Sequence, residues 1–519
     1  MQADLVLTNG NIITMNPAQA RAEAVAVTKD RILKVGTNNE IAPLIGKNTK
    51  TIDLKGKTVV PGFIDTHIHV ADFGRTLAWL DLKGAASIRA LQTLVKEKAA
   101  KTAKGKWILG SGWNQETFKE KRFPTRHDLD VAAPDNPVIL YHQLGRTGAA
   151  NSKALELAGV TKDTVVPKDG AIERNPETCE PTGILQGNAT DLVWNVVPQP
   201  TEAETVEAAK EACTKIMEAG ITSVHWIAFS AAELEVAQKL KTENIVPLRF
   251  FVIATAEAFE TLPTSEETKP KIDAVLAFAD GYLASQTAAL EQQYMGDSAN
   301  RGQLLYTQDE LNRLAARICK ANLQVIIHAM GDKAVDAALK ALETISRTQS
   351  PTRRRHRLEQ AALLNLQLIK RIRNLEIVVS VQPKVVESEF QVWSAVEHLG
   401  EKRARMLFPL KTLVGKGVCV AGGSDCPMEP LNPLAGIQSA MTRAICPRER
   451  LNFEEALRLY TVNAAYLTME ENEKGSVEEG KLADFTVLSD DPTKSPPGKL
   501  AEVEVELTII GGRIVHQKR

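Results

Sequence analysis

Apolar runs of strand length alternate with helical stretches through the middle of the chain. Each run ends in turn residues, and the stretch that follows has a period near 3.6 residues. This alternation predicts the βα units of a parallel barrel, so we expect an α/β fold of the (β/α)₈ TIM barrel type. The eight predicted barrel strands are residues 58–66, 221–225, 248–253, 275–278, 324–328, 355–359, 377–381 and 418–422.

Both ends of the chain have a different pattern, with short strands separated by turn residues. The N-terminal strands are predicted at 4–8, 12–15, 24–28 and 31–36, and the C-terminal strands at 484–488, 503–510 and 513–516. Neither end has enough strands to bury a core alone. We therefore predict that residues 1–56 and 475–519 form one small β-sandwich domain, and that residues 57–474 form the barrel.

A long insertion separates the first predicted barrel strand from the second. It covers about residues 71–200 and has apolar runs of its own at 107–112 and 137–142. A connection of this length predicts an inserted subdomain rather than a structureless loop. In a barrel, such an insertion after a strand is expected over the catalytic mouth.

Composition and charge narrow the class of partner. The chain has 519 residues, 44% of them hydrophobic, and a formal net charge of -1. A nearly neutral chain has no electrostatic field to gather nucleic acid or an anionic membrane, so we expect a small-molecule substrate. No apolar stretch is long enough to cross a bilayer and no leader pattern begins the chain, so a cytoplasmic location is expected. The six cysteines form no Cys-x-x-Cys pair, which fits reduced thiols. The sequence does not determine whether the protein forms a homo-oligomer.

The first barrel strand ends in two histidines separated by one residue. Residues i and i+2 of a strand point to the same side, so His67 and His69 can reach one cation while Ile68 turns away. Neutral imidazole is a common ligand of zinc and similar ions. A His-x-His pair alone also fits a polar surface or a hydrogen-bonded core. The apolar run with Pro61-Gly62 and the nearby Asp65 favours the metal site.

Two further strands end in residues that suit a metal. His328 ends the run 324–328, and Asp425 follows the run 418–422 after two glycines. A structural histidine and a loop cap are the alternatives for these two residues. Catalytic groups of barrels lie at the C-terminal ends of the strands, so these residues are expected to meet His67 and His69. The set predicts one divalent metal ion, with Zn²⁺ as first choice and Mn²⁺ or Fe²⁺ as alternatives, and Asp425 as proton acceptor.

Several segments together resemble the amidohydrolase superfamily, in the branch of the N-substituted formamide deformylases. The segments that carry the resemblance are 59–69, 113–114, 123–130, 151–155, 181–183, 328–332 and 423–425. The resemblance spans nearly the whole chain. It implies a barrel with a terminal sandwich, a metal site, and hydrolysis of amide-like C–N bonds.

The chain departs from this family pattern at four positions. Leu276 replaces a lysine that bridges two metal ions, and Gln360 replaces a histidine after strand six. Trp226 stands where an aspartate is usual, as a substrate-facing wall or as ordinary barrel packing. Arg146 stands in place of the histidine of an Asp-Gly-His sequence in the insertion. Because leucine cannot bridge metals, the changes predict a mononuclear centre.

Three of the predicted catalytic residues follow from these departures. Gln360 can hydrogen-bond a substrate carbonyl, although an amide does not titrate near neutral pH. Arg146 can bind a carboxylate or an enolate oxygen, with a surface salt bridge as the alternative. His225 can supply the imidazole that is lost at Gln360, with a buried structural histidine as the alternative.

The sequence therefore predicts a metal-dependent hydrolase that uses activated water to cleave a non-peptide C–N bond in a small amide or cyclic amide. The first alternative is a ring-opening C–C hydrolase, a cyclohydrolase of a cyclic 1,3-diketone such as dihydrophloroglucinol, in which Arg146 and Gln360 stabilise an enolate. The second is a catalytically silent barrel that binds a ligand. Four groups converging on one cation favour an enzyme.

Overall fold

The computed structural model describes residues 2–143, 147–168, 170–262, 270–297, 299–348 and 354–518. The chain divides into two compact units, one formed by residues 1–71 and 209–519 and the other by residues 72–208. None of the helices in the described residues is long and apolar enough to cross a membrane.

A parallel eight-stranded barrel forms the centre of the larger unit. Its strands are β1 (Phe63–Ile68), β2 (Ile221–Ala228), β3 (Arg249–Thr255), β4 (Ala274–Phe278), β5 (Gln324–Ala329), β6 (Arg357–Gln360), β7 (Val378–Val381) and β8 (Val420–Gly422). Each strand pairs with the next, and a parallel bridge between Ile68 and Cys426 links the two ends of the sheet. The predicted (β/α)₈ fold is confirmed.

Helices surround the strands and connect them. The α-helices of the larger unit are Asn38–Ile41, Ala231–Thr242, Ala256–Glu260, Gln308–Lys320, Asp332–Thr348, Leu366–Asn374, Ala395–Leu399, Glu401–Ala404, Leu410–Gly415, Pro433–Thr442, Phe453–Leu459 and Val462–Leu467, with a π-helix at Val386–Gln391. Gln308–Lys320 illustrates their origin, because Thr307 and Glu310 form a capping box at its start. Its buried face repeats at helical spacing, with Leu311, Leu314 and Ile318.

Two further sheets lie in the same unit, one formed by N-terminal strands and one shared by strands from both ends of the chain. The four-stranded sheet has the order Arg31–Gly36, Ala24–Thr28, Leu5–Thr8, Lys50–Asp53. The six-stranded sheet has the order Arg513–Gln517, Val505–Ile510, Phe485–Leu488, Thr58–Pro61, Asn11–Ile13, Arg21–Ala22. Both sheets contribute to one buried apolar cluster, which includes Leu7, Val27 and Phe485. The domain boundaries at 1–56, 57–474 and 475–519 stay predictions.

The six-stranded sheet, called the terminal sheet below, contacts the barrel at the end opposite the candidate site. Arg249, the first residue of β3, forms a two-pronged ion pair with Asp484, with distances of 2.7 Å (Nε to Oδ2) and 2.9 Å (Nη2 to Oδ1). Thr486 Oγ1 donates to the carbonyl of Gly220, just before β2, at 2.6 Å. These contacts leave the C-terminal ends of the strands for the site.

The first predicted strand is wrong in its bounds. Residues 58–66 form two strands, because Thr58–Pro61 pairs with Phe485–Leu488 in the terminal sheet and only Phe63–Ile68 enters the barrel. The change occurs at Gly62, where a Cβ atom would lie 2.3 Å from Thr222 Cγ2. A glycine therefore allows the close approach of β2 at the point where the chain leaves one sheet for the other.

The smaller unit has a six-stranded sheet and its own core. The strand order is Gly170–Arg174, Pro181–Gly187, Thr147–Ala150, Val138–His142, Ile108–Trp113, Leu80–Asp81. Its helices are Val70–Leu77, Ile88–Ala100, Arg126–Ala132, Ser152–Leu157 and Asp191–Trp194, and Glu202–Glu218 continues into the larger unit. Asn151 caps one of the helices by accepting the Ala154 N–H at 3.0 Å.

Candidate metal centre

Three side chains meet where β1 and β8 end. Asp425 Oδ1 lies 3.2 Å from His67 Nε2 and 3.1 Å from His69 Nε2. The three ligand atoms all lie within 4.8 Å of one another. Atoms bound to a tetrahedral zinc ion at its usual bond lengths are about 3.3–3.6 Å apart. The spacing and the donor set, two imidazoles and one carboxylate, therefore fit one divalent ion.

Backbone pairing between the ends of β1 and β8 fixes these side chains. The Asp425 N–H donates to the carbonyl of His67 at 2.8 Å, and the His69 N–H donates to the carbonyl of Cys426 at 3.0 Å. Asp65 ties the two segments together, because its Oδ1 accepts from the N–H groups of His67 at 3.0 Å and Ser424 at 2.9 Å. A Cβ atom at Gly423 would lie 2.5 Å from the His67 nitrogen, so glycine is required there.

The carboxylates around His67 give the centre a negative electrostatic potential, which favours a bound cation. Burial alone lowers the pKa of His67, but the carboxylates of Glu359 and Asp425 outweigh burial and raise it to about 10. Burial alone raises the pKa of Asp425, but His67 and His69 outweigh it and hold it well below its usual range. One buried carboxylate, Glu359, and one partly buried carboxylate, Asp425, on either side of one imidazole create a negative field that a cation at this position would neutralise.

A buried carboxylate on β6 lies behind His67. Glu359 Oε1 is 3.1 Å from His67 Nδ1 and accepts from Gln382 Nε2 at 2.7 Å. Arg357 pairs with Glu359 Oε2, and both side chains are 0% exposed. A carboxylate beside Nδ1 keeps a proton there and directs the Nε2 lone pair to the metal. The sequence indicates Glu359 only as an uncertain site candidate and does not predict its contact with His67, although its register opposite His328 places it near the site.

His328, the predicted fourth ligand, is buried at the end of β5. Its ring packs on Phe278 with centroids 5.0 Å apart and on Tyr282 with centroids 5.8 Å apart. Burial, together with the charge of His67, lowers the pKa of His328 to about 4, so the ring is a neutral donor. It is not part of the compact group formed by His67, His69 and Asp425. Its role as a ligand stays a prediction.

The other predicted catalytic residues occupy different surroundings. His225 Nδ1 is 3.1 Å from Arg357 Nη1, and burial and Arg357 lower the pKa of His225 well below its ordinary value. Gln360 ends β6 with φ 66° and is 3% exposed. Its Oε1 has no hydrogen-bond partner among the described residues. Arg146 lies outside the described residues. The roles of His225, Gln360 and Arg146 stay predictions.

Two of the positions that differ from the family pattern, Leu276 and Trp226, pack against apolar side chains. Leu276 lies in an apolar cluster with Ile253 and Ile326, so it offers no ligand. Trp226 packs on Phe250 with centroids 5.7 Å apart, and strand alternation directs it away from the side of His225.

Asp280, four residues after Leu276, is the carboxylate that could complete a second metal site, and it already accepts three backbone hydrogen bonds. Its two oxygens accept the N–H groups of Ala289 at 2.8 Å and of Met330 and Gly331 at 2.9 Å each. These three backbone donors occupy three of the about four lone-pair sites of the carboxylate, so a metal ion would compete with them. The described residues around Leu276 therefore offer no carboxylate that is free to bridge to a second ion.

A closed parallel barrel with His, His and Asp at the C-terminal ends of its strands defines the class of metal-dependent barrel hydrolases. A model of the amidohydrolase family matches residues 50–516. The chain belongs to the amidohydrolase family, and the protein is an enzyme of the amidohydrolase type.

Individual relatives agree with this assignment. The chain is 34% identical to the protein YtcJ of Bacillus subtilis, over 98% of each chain. It is 29% identical to the N-substituted formamide deformylase of Arthrobacter pascens, over 99% of this chain and 98% of the relative. The structure is similar to that of an uncharacterized metal-dependent hydrolase from Pyrococcus furiosus, with a TM-score of 0.78, 30% identity, and coverage of 94% of this chain and 100% of that chain.

Proposed function

We propose that the protein is a mononuclear metal-dependent hydrolase that cleaves a non-peptide C–N bond in a small amide or cyclic amide. The observation that carries the proposal is the convergence of His67 Nε2, His69 Nε2 and Asp425 Oδ1, with 3.1–3.2 Å between the carboxylate oxygen and each imidazole nitrogen. Leu276 supplies no bridging group, which supports a single ion, with zinc as the first choice for this donor set. The formamide deformylase relative supports the bond class.

In the proposed mechanism His67, His69 and Asp425 hold the metal ion, and Asp425 also transfers a proton. A divalent ion at the centre would supply Lewis acidity, which activates water and polarises a carbonyl. In the metal-free centre His67 and His69 outweigh burial and lower the pKa of Asp425, and a bound cation would lower it in the same direction. Its carboxylate accepts the proton that the attacking water loses as the new C–O bond forms. Asp425 then returns this proton to the nitrogen as the C–N bond breaks.

The buried amides favour one second candidate, the ring-opening C–C hydrolysis of a cyclic 1,3-diketone. Gln360 is 3% exposed and stands where the family has a titratable histidine, and Gln382, which directly follows β7 and donates to Glu359, is 0% exposed. An amide N–H stabilises an enolate oxygen without a change of charge. In that reaction, Asp425 would pass its proton to the enolate carbon instead of to a nitrogen.

A substrate panel separates the two candidates. Metal-loaded protein is incubated with N-formyl amines, cyclic amides and cyclic 1,3-diketones, and the released amine or ring-opened acid is quantified by mass spectrometry. We expect turnover of the amides, with Asp425→Asn as the control for contaminating hydrolases. Turnover of the diketones alone would establish the second candidate in place of the first. No turnover of any of the three classes would contradict both.

A further inference from the structure

Aromatic rings cover one side of the candidate centre. Phe229 stacks on the ring of His69, with centroids 5.2 Å apart and an angle of 24°. Phe278 lies nearly parallel to Phe229, at 6.5 Å and 10°, and contacts His328 at 5.0 Å. Tyr282 meets the same His328 edge-on at 5.8 Å. We call Phe229, Phe278 and Tyr282 the aromatic wall.

Two members of the aromatic wall are unusually exposed for rings of their size. Phe229 is 44% exposed and Tyr282 is 50% exposed. Phe229 directly follows β2, and Phe278 ends β4 four residues before Tyr282. Exposure of apolar rings to water is unfavourable, so neighbouring exposed rings next to the candidate centre indicate a ligand surface rather than packing.

The backbone holds the exposed rings in place. The Phe229 N–H donates to Glu233 Oε2 at 3.1 Å, at the start of the helix Ala231–Thr242. The Tyr282 N–H donates to Thr287 Oγ1 at 3.0 Å, and the Tyr282 carbonyl accepts the N–H groups of Thr287 at 3.0 Å and Ala288 at 3.1 Å. Rings on a fixed backbone are preorganised, so little entropy is lost when a ligand packs on them.

We propose that the aromatic wall binds a planar ring that the substrate carries next to its scissile carbonyl. This inference rests on the proposed function, because it takes the carbonyl to lie at the metal centre. The nearly parallel arrangement of Phe229, Phe278 and the His69 ring favours a flat partner, since stacked rings prefer planar neighbours at these distances. A saturated ring of similar size presents axial hydrogens and stacks less well.

Hydroxamic acids test the proposal without requiring turnover. They bind divalent metal through their two oxygens and differ only in the attached group. Isothermal titration calorimetry with the metal-loaded full chain gives the Kd of benzohydroxamate, cyclohexanecarbohydroxamate and acetohydroxamate. We expect benzohydroxamate to bind about five- to tenfold more tightly than the cyclohexane compound. In Phe229→Leu this preference is lost, with the affinity compared to that for acetohydroxamate and the metal content measured on the same sample, because Phe229 stacks on the His69 ring.

The matched control is Phe250→Leu, because Phe250 packs on Trp226 and is not part of the aromatic wall. This variant keeps the full preference for the planar ring. Equal affinity of the wild-type protein for the benzene and cyclohexane compounds would overturn the inference and leave the proposed function intact. A full preference retained in Phe229→Leu would overturn the role of the aromatic wall. If none of the three hydroxamates binds metal-loaded protein, the proposed centre itself is wrong.

Discussion

Asp425→Asn is expected to lower kcat by about 10²–10⁴-fold, the usual contribution of a positioned acid–base group. The substituted amide keeps an oxygen near His67 and His69, but it cannot accept the proton of the attacking water. In the metal-free centre those histidines outweigh burial and hold the pKa of Asp425 well below its usual range. Steady-state kinetics on the best amide of the panel measure the loss, with metal content determined on the same sample.

The control for this substitution is Asp309→Asn, an exposed aspartate in the first turn of the helix Gln308–Lys320. It makes the same chemical change far along the chain from the candidate centre and should leave kcat unchanged. A kcat for Asp425→Asn within threefold of the wild-type value, in protein with full metal content, would remove Asp425 from the proton transfer.

Glu359→Gln is expected to weaken metal binding by about 10- to 100-fold, since it removes the charge that orients His67. The same change leaves Arg357 buried without its counter-charge, because both side chains are 0% exposed. Loss of one partner of a buried pair costs about 3–5 kcal/mol of unfolding free energy. Competition with a metal chelator measures the affinity, and urea unfolding of the metal-free protein measures the stability.

A second variant separates orientation of the histidine from general destabilisation. In the double substitution Arg357→Met with Glu359→Met, no buried charge of the pair is left alone, so much of the stability should return. The metal affinity should stay low, because His67 Nδ1 still lacks its carboxylate. Gln382→Met keeps the Glu359 charge and should cause a smaller loss of affinity. Full recovery of metal affinity in the double variant would show that Glu359 acts only through stability.

Most of the barrel can be predicted from the sequence because its strands are buried on both faces. β4 is therefore a continuous apolar run and β5 contains one at 325–327, and such runs have a clear signal in a single sequence. The bounds predicted for 58–66 are wrong because the segment is mostly apolar, while its first part pairs in the terminal sheet and its second in the barrel. When one apolar run pairs with strands of two different sheets, the hydrophobic periodicity of the run does not show where the change occurs.

The sequence predicts the site residues that lie at or just after strand ends, but not the contacts between side chains of different strands. His67, His69 and Asp425 were found because each ends or follows an apolar run, and such ends meet at one edge of a barrel. The contact of Glu359 with His67 and the stacking of Phe229 on His69 depend on side-chain directions across the barrel. Residues so far apart in sequence give no local signal for these contacts.

The departure from the family pattern at Leu276 and the contacts of Asp280 both support the proposal of a single metal ion. Leu276 lies in an apolar cluster and Asp280 is engaged by three backbone N–H groups, so the described residues at the end of β4 provide no second ligand set. The compact group of His67, His69 and Asp425 is sufficient to hold one ion when water or a further donor completes it.

The most direct test of the account is the metal content per chain, measured by plasma mass spectrometry on wild-type protein and on His67→Ala. The proposed centre predicts about one equivalent of zinc, manganese or iron in the wild-type protein and its loss in His67→Ala. Two equivalents in the wild-type protein would contradict the mononuclear centre. A full equivalent retained in His67→Ala, or no metal after incubation with an excess, would contradict the centre itself.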